Sequence, residues 1–377
     1  MECRSIGILT TAFSLSMAAI SGGAPLAPPY PPSRVIESIT WHWETYRTAA
    51  PGSDLWPTTW GPDGHLYAAW GDGGGFGGTD SDGRVSMGFA RIENGPEDFR
   101  GFNINGGKTS EHPASFPKKG KTGGILFLRN TLYAKINLQD APWPNVNHVL
   151  AWSTNAGATW SRADWVFPKG VGNFQPAKFL NFGANYSGVP PHLAGFVYLY
   201  GPRQPAKSAE AHALFLARVP EGQIRVRSAY EFFQGCAADG QPRWTADPDR
   251  MQPVFIDTNG VTTSGVAYIP ALKRFLLTSF HMGPGQLGVF DAPQPWGPWT
   301  TVAYLQNWGG MGSDGEGLTC DFPQKWMSAD GLTLWNVFSV YGAGAKQGIK
   351  AHDRFNLVKV TLELARTNRA AAPRPQL

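Results

Sequence analysis

Five stretches of this chain share one pattern: a β-rich run, a turn and a second β-rich run. They are LWPTTWGPDGHLYAAWGD (55–72), ILFLRNTLYAKIN (125–137), QPAKFLNFGANYSGVPPHLAGFVYLYG (175–201, with a longer connection), GVAYIPALKRFLLTSFH (265–281) and KWMSADGLTLWNVFSVYG (325–342). Further strand-like segments follow each pair, such as RVSMGFARI, HALFLARV and NLVKVTLEL. A lone four-stranded sheet leaves both faces open, and packing such sheets in a ring covers them. The pattern therefore predicts an all-β fold, a five-bladed β-propeller with about four antiparallel strands per blade. Composition agrees. Aromatics make up 13% of the chain, with 15 Trp to fill a core, and 46 Gly and 31 Pro supply turns, while only 16% of residues are charged, too few for a disordered polymer.

The two ends read differently. Residues 1–24 carry Arg4, then a short apolar stretch from Ile6 to Ile20, then small residues including Gly22 and Ala24, the pattern of a secretory signal peptide. The Pro-rich residues 25–37 read as a linker, 38–365 as one propeller domain, and 366–377 as a disordered tail. The expected location is secreted or periplasmic. No other stretch is apolar enough for a bilayer, so no membrane association is expected after cleavage, and a monomer is expected. Cys236 and Cys320 either pair in an oxidising compartment or remain as separate thiols.

Several activities are disfavoured. The net charge of +4, from 32 basic and 28 acidic residues, comes without a basic run, so no nucleic-acid partner is expected. Gly120-Lys121-Thr122 imitates a phosphate loop, but Ser115 stands where that loop needs glycine, and a strand follows where it needs a helix. Cysteine spacing gives no zinc motif, and there is no HExxH or GxSxG. The expectation is a protein with no cofactor and no metal, although two close aspartates also allow a calcium site.

The first hairpin carries the most specific chemistry. With Pro62-Asp63-Gly64 as its turn, Asp54 lies nine residues before Asp63 and Asp72 nine after it. Equal distances make them face each other across the pair, and a one-residue change in turn length makes them diagonal neighbours. Two carboxylates this close raise one another's proton affinity. Glycoside hydrolysis uses such a pair: one carboxyl protonates the leaving oxygen, and the other attacks the sugar or activates water. A separation of about 5–5.5 Å would suit retention of configuration, and a wider gap, with an acid such as Glu316 from another blade, would suit inversion. The alternative is structural, since Asp often closes a strand by binding nearby amides.

The open ends of the other hairpins should border the same funnel. They bring Asn137, Gln175, His281 and Glu316, with Trp308 as an aromatic platform, as candidate substrate-binding residues. STNAGATW (153–160) and SADGLTLW (328–335) resemble the Asp-box turns of sialidase-like propellers, whose role is to hold a hairpin.

SDLWPTTW with DGHLYAAWGDGGGF, RVSMGFARI, PWGPWTTV and FNLVKVTLEL resembles a bacterial propeller family first catalogued as a domain of unknown function. Its members include endo-D-arabinanases, glycoside hydrolases that cut the D-arabinan of mycobacterial cell walls. The likeness runs over roughly residues 38–364 and is sharpest in the first hairpin. It implies a secreted hydrolase of furanoside polysaccharide, most simply endo-acting on D-arabinan, with Asp54 and Asp72 matching the family's paired aspartates. The alternative is a propeller that binds carbohydrate without cutting it.

Overall fold

The computed structural model describes residues 27–114, 119–142, 146–170, 172–203, 212–280, 286–311, 316–342 and 351–366. The expected signal peptide lies outside them, as does the tail beyond Arg366. The architecture is a five-bladed β-propeller. The first strand, β1 (Ile36–Ala49), belongs to the last blade. Blade one is β2 (Asp54–Trp60), β3 (Leu66–Gly71), β4 (Met87–Glu93) and β5 (Arg100–Asn105). Blade two is β6 (Lys121–Leu128), β7 (Thr131–Asn137), β8 (His148–Ser153) and β9 (Ser161–Arg162). Blade three holds β10 (Lys178–Phe179), β11 (Phe196–Gly201), β12 (Ala213–Pro220), β13 (Glu231–Cys236), β14 (Pro242–Thr245) and β15 (Pro253–Ile256), the last paired with β12. Blade four is β16 (Thr262–Ile269), β17 (Arg274–Phe280), β18 (Leu287–Ala292) and β19 (Thr300–Leu305). Blade five is β20 (Glu316–Asp321), β21 (Thr333–Tyr341) and β22 (Phe355–Leu364), with β1 added on its outer side.

That last pairing closes the ring. β1 runs antiparallel to β22, from Ile36 opposite Leu364 to Ala49 opposite Phe355. The hairpin pattern predicts no strand at 36–49, although IESITWHWETYRTA alternates as a strand should. Blade three is richer than the expected four strands. In blade five, Pro323 opens a 3-10 turn at Gln324–Trp326, so the inner partner of β21 is β20 and not the KWM segment. Residues before β1 continue onto blade four, where Thr301 N donates to Pro31 O at 2.8 Å.

Aromatic side chains fill the seams between blades. Phe89 stacks on Trp160 at 4.1 Å between blades one and two, Phe182 meets Tyr268 at 5.6 Å between three and four, and Trp56 meets Phe355 at 5.3 Å between one and five. Each such ring buried contributes on the order of 1.5–3 kcal/mol. The two Asp-box-like turns hold their hairpins as the sequence predicts: Asn155 Oδ1 accepts from Thr159 N at 2.9 Å, and Asp330 Oδ1 from Leu332 N at 3.0 Å. Cys236 is exposed and Cys320 is buried, and both are free thiols.

The inner strands crowd together at the axis. Gly265 lies so close to blade five that a Cβ there would fall 2.1 Å from Cys320 O. Polar side chains tie the strands across the centre. Thr59 Oγ1 donates to Asn181 Oδ1 at 2.7 Å, and Lys178 Nζ of blade three meets both oxygens of Asp321 of blade five at 3.2 Å.

Candidate active site

A cavity of about 560 Å³ opens at the end of the ring where β2 begins. Asp54 and Leu55 of blade one line it, with Lys121, Lys135 and Asn137 of blade two, Lys178 of blade three, Thr262 of blade four and Thr319 of blade five. All five blades therefore contribute to one mouth. A much smaller cavity of about 40 Å³ lies farther along the axis, lined by Thr59, Asn181 and Asp321, and Lys178 borders both.

The start of β2 is distorted in a way that aims Asp54. Register slips between Leu55 and Thr58, and Leu55 and Trp56 adopt positive φ of 73° and 61°. Such a conformation is costly for side chains of this size. It is held by the fully buried Trp56, which stacks on Trp70 at 5.6 Å and donates from Nε1 to Ser53 O at 2.8 Å. Asp54 pairs with Gly71, so Asp72 sits one residue past the facing position, just beyond the end of β3 and itself at φ 53°. A Cβ at Gly71 would lie 2.2 Å from Asp54 Oδ1 and 2.8 Å from Lys121 Cδ, so any side chain there would displace both groups from these positions.

The two carboxyls occupy contrasting surroundings. Asp54 is partly buried, with its Oδ1 enclosed and without a hydrogen-bond partner among the described residues. Burial pushes its carboxyl up to about 7; Lys121 opposes the shift, while Asp353 and Asp72 add to it. Asp72 is half-exposed and ion-paired, with Oδ1 2.5 Å from Lys121 Nζ and Oδ2 3.3 Å from Arg84 Nη2. It stands behind Lys121, outside the residues that line the cavity. Lys121 also donates to Ser86 O at 3.0 Å, so its ammonium ties the start of blade two to blade one.

Sequence reasoning missed a third acid. Asp353 lies just before β22, and its carbonyl accepts from Gly52 N at 2.7 Å, which fastens it to the approach to Asp54. Its Oδ1 is buried without a partner among the described residues, and His352 Nε2 stands 3.4 Å from Oδ2. Burial raises its proton affinity as well, with Asp72 adding and His352 opposing. Nothing local marks Asp353, which reaches the site through a separation of about three hundred residues.

The other predicted residues divide. Asn137 lines the cavity, and its buried Oδ1 has no partner among the described residues. Gln175 is buried near the inner start of blade three, outside the cavity lining, with its backbone N bonded to Pro202 O at 2.9 Å. Glu316 begins β20 opposite Tyr341, at the mouth end of its hairpin. His281 lies outside the described residues. Trp308 is only 2% exposed, enclosed by Trp41, Trp43, Phe280 and Phe338, so it is core between blades and presents no face to a sugar.

Among solved structures, a protein from Bacteroides ovatus described as a candidate hydrolase is similar at a TM-score of 0.54 and 11% identity, over 83% of this chain and 87% of that one. A family 117 glycoside hydrolase from Zobellia galactanivorans matches at 0.43 and 9%, over 87% and 91%. A GH43_1 enzyme from Xanthomonas citri matches at 0.43 and 12%, over 89% and 95%. At these identities the likeness concerns the fold. No curated protein matches the chain. The family described as "Domain of unknown function (DUF4185)" matches residues 113–340, which leaves the hairpin of Asp54 and Asp72 outside the matched stretch. That match spans more than half of the sequence, and the chain belongs to the DUF4185 family.

Proposed function

We propose that this protein is a glycoside hydrolase acting on furanoside polysaccharide, endo-acting on D-arabinan, with Asp54 and Asp72 as its catalytic carboxyls. The observation that carries the reading is Asp54: a partly buried carboxyl on a cavity wall, with one enclosed oxygen unpartnered and its pKa raised to about 7 by desolvation. A carboxyl kept neutral near neutrality is suited to donate to the glycosidic oxygen as the bond to the anomeric carbon breaks. Asp72 is the second carboxyl of this reading: held by Lys121 and Arg84 just outside the cavity lining, it must part from Lys121 to attack the anomeric carbon or to take a proton from water. Hydroxyls of the sugar meet Asn137 and the backbone edges of the inner strands. In this reading the protein is exported, residues 1–24 are removed, and it works as a monomer without a cofactor. Among the described residues, no helix is long and apolar enough to cross a membrane.

One observation favours a second reading, glycan binding without cleavage: the Asp72 carboxylate already engages two cations. Reducing-end release from D-arabinan separates the two. Wild type should release product, and Asp54→Asn and Asp72→Asn should each lose at least about 100-fold in kcat/KM. Full turnover in both variants overturns the assignment of the pair, and binding without product in wild type selects the second reading.

A further inference from the structure

The cavity wall carries more positive charge than the proposed chemistry uses. Three lysine side chains border it, those of Lys121, Lys135 and Lys178. Lys121 is paired with Asp72 at 2.5 Å and Lys178 with Asp321 at 3.2 Å. Lys135 has no carboxylate partner among the described residues. It is 5% exposed on β7, and its Nζ lies 3.4 Å from His148 Nδ1. Asn137 follows two residues later on the same strand and so on the same face. Across the sheet, Asn137 stands opposite Lys121 on one side and His148 on the other. Blade two thus presents a polar band toward blade three, where Lys178 completes the wall.

An amine in this setting is costly. Removing an ammonium from water without a counter-charge is far more expensive than removing it with one. Burial, with Lys178 adding repulsion, draws the Lys135 amine down to about 7. His148 is driven the same way by burial and by Lys135, so its ring remains neutral and adds no further positive charge. A core position would tolerate Met or Leu on the same strand at lower cost. A lysine here, facing a cavity large enough for a sugar, lacks only an anion.

We propose that the side of this cavity formed by blades two and three contains an anion subsite, in which Lys135, with Lys178 beside it and Asn137 on its strand, binds a negatively charged substituent of the glycan. The ligand class is a furanoside oligosaccharide bearing a carboxylate or a phosphate monoester. Asn137 meets a neighbouring hydroxyl through its free Oδ1. The inference rests on the glycosidase reading of the same cavity, but it adds a requirement that neutral arabinan does not impose. A buried charge-assisted contact predicts a preference of about 10-fold or more for the charged ligand.

The test is calorimetry on the full-length protein with three matched oligosaccharides: neutral, carboxylate-bearing and phosphate-bearing. Wild type should bind at least one charged ligand about 10-fold more tightly than the neutral one, and Lys135→Met and Lys135→Gln should bring that ratio close to one. Preference for only one of the two anions identifies its chemistry. Equal affinity for all three in wild type, or a preference that survives in both variants, overturns the subsite. Circular dichroism of each variant confirms folding, and because the comparison is a ratio within one protein, a general loss of affinity does not imitate it. Turnover is read separately. Cleavage of all three ligands with equal affinity removes the subsite and leaves the glycosidase reading, while charge preference without cleavage does the reverse.

Discussion

Between about pH 4 and pH 7, the folded chain holds a proton on Asp54 that the unfolded chain gives up. This difference in bound protons makes stability fall as pH rises through that window, by up to about 1.4 kcal/mol for each pH unit. Asp54→Asn removes this penalty. Thermal unfolding should therefore show the variant more stable than wild type by a few kcal/mol at pH 8, with the difference vanishing near pH 4. A variant less stable than wild type at pH 8 would mean that the carboxyl is a structural anchor. This combination, lost turnover with gained stability, is the signature of a group placed for chemistry at a cost to the fold. Asp353 contributes to the same balance, because its charge helps to keep Asp54 protonated.

At the scale of elements, β1 does the work of a clasp. Trp41 sits in the core of blade five against Trp308 at 6.0 Å, and its Nε1 reaches Asn336 Oδ1 at 3.4 Å. Trp41→Ala should cost about 3–5 kcal/mol, read from the midpoint of urea unfolding, because it empties the seam that joins the two ends of the sheet. A midpoint within error of wild type would show that β22 alone completes the blade. The inner hairpins are legible in the sequence because each is local: a β-rich run, a turn such as Pro62-Asp63-Gly64, and a second run. β1 is less so, since its partner is more than three hundred residues away and the neighbouring prolines read as linker. The site shows the same division. Asp54 and Asp72 stand out through one hairpin, whereas Asp353, Lys135 and the enclosure of Trp308 depend on how blades meet, which no local spacing encodes. The bulge at Leu55 and Trp56 is equally hidden, since neither residue favours positive φ.

The whole molecule is a ring whose centre is bridged by charge. Lys178 and Asp321 connect blades three and five, both largely withdrawn from water. Burial raises the proton affinity of Asp321, and Lys178 opposes it. Breaking the pair leaves a charge buried alone, so Lys178→Met should destabilise the protein by about 3–5 kcal/mol, while Lys178→Met with Asp321→Asn should recover most of that loss. Denaturant unfolding of the two single variants and the double variant measures the coupling, and strict additivity would remove the bridge as a tie across the axis.

The clasp also decides where the chain departs. Asp353 stands close enough to Asp54 to act on its charge, and Phe355 packs on Trp56, but β22 then runs ten residues away, a span of about 33 Å, before reaching Leu364. Leu364 therefore lies at the other end of its strand from the cavity mouth. On the proposed function, a tether fixed at that end of the strand would leave the mouth facing outward, free to meet a polymeric glycan.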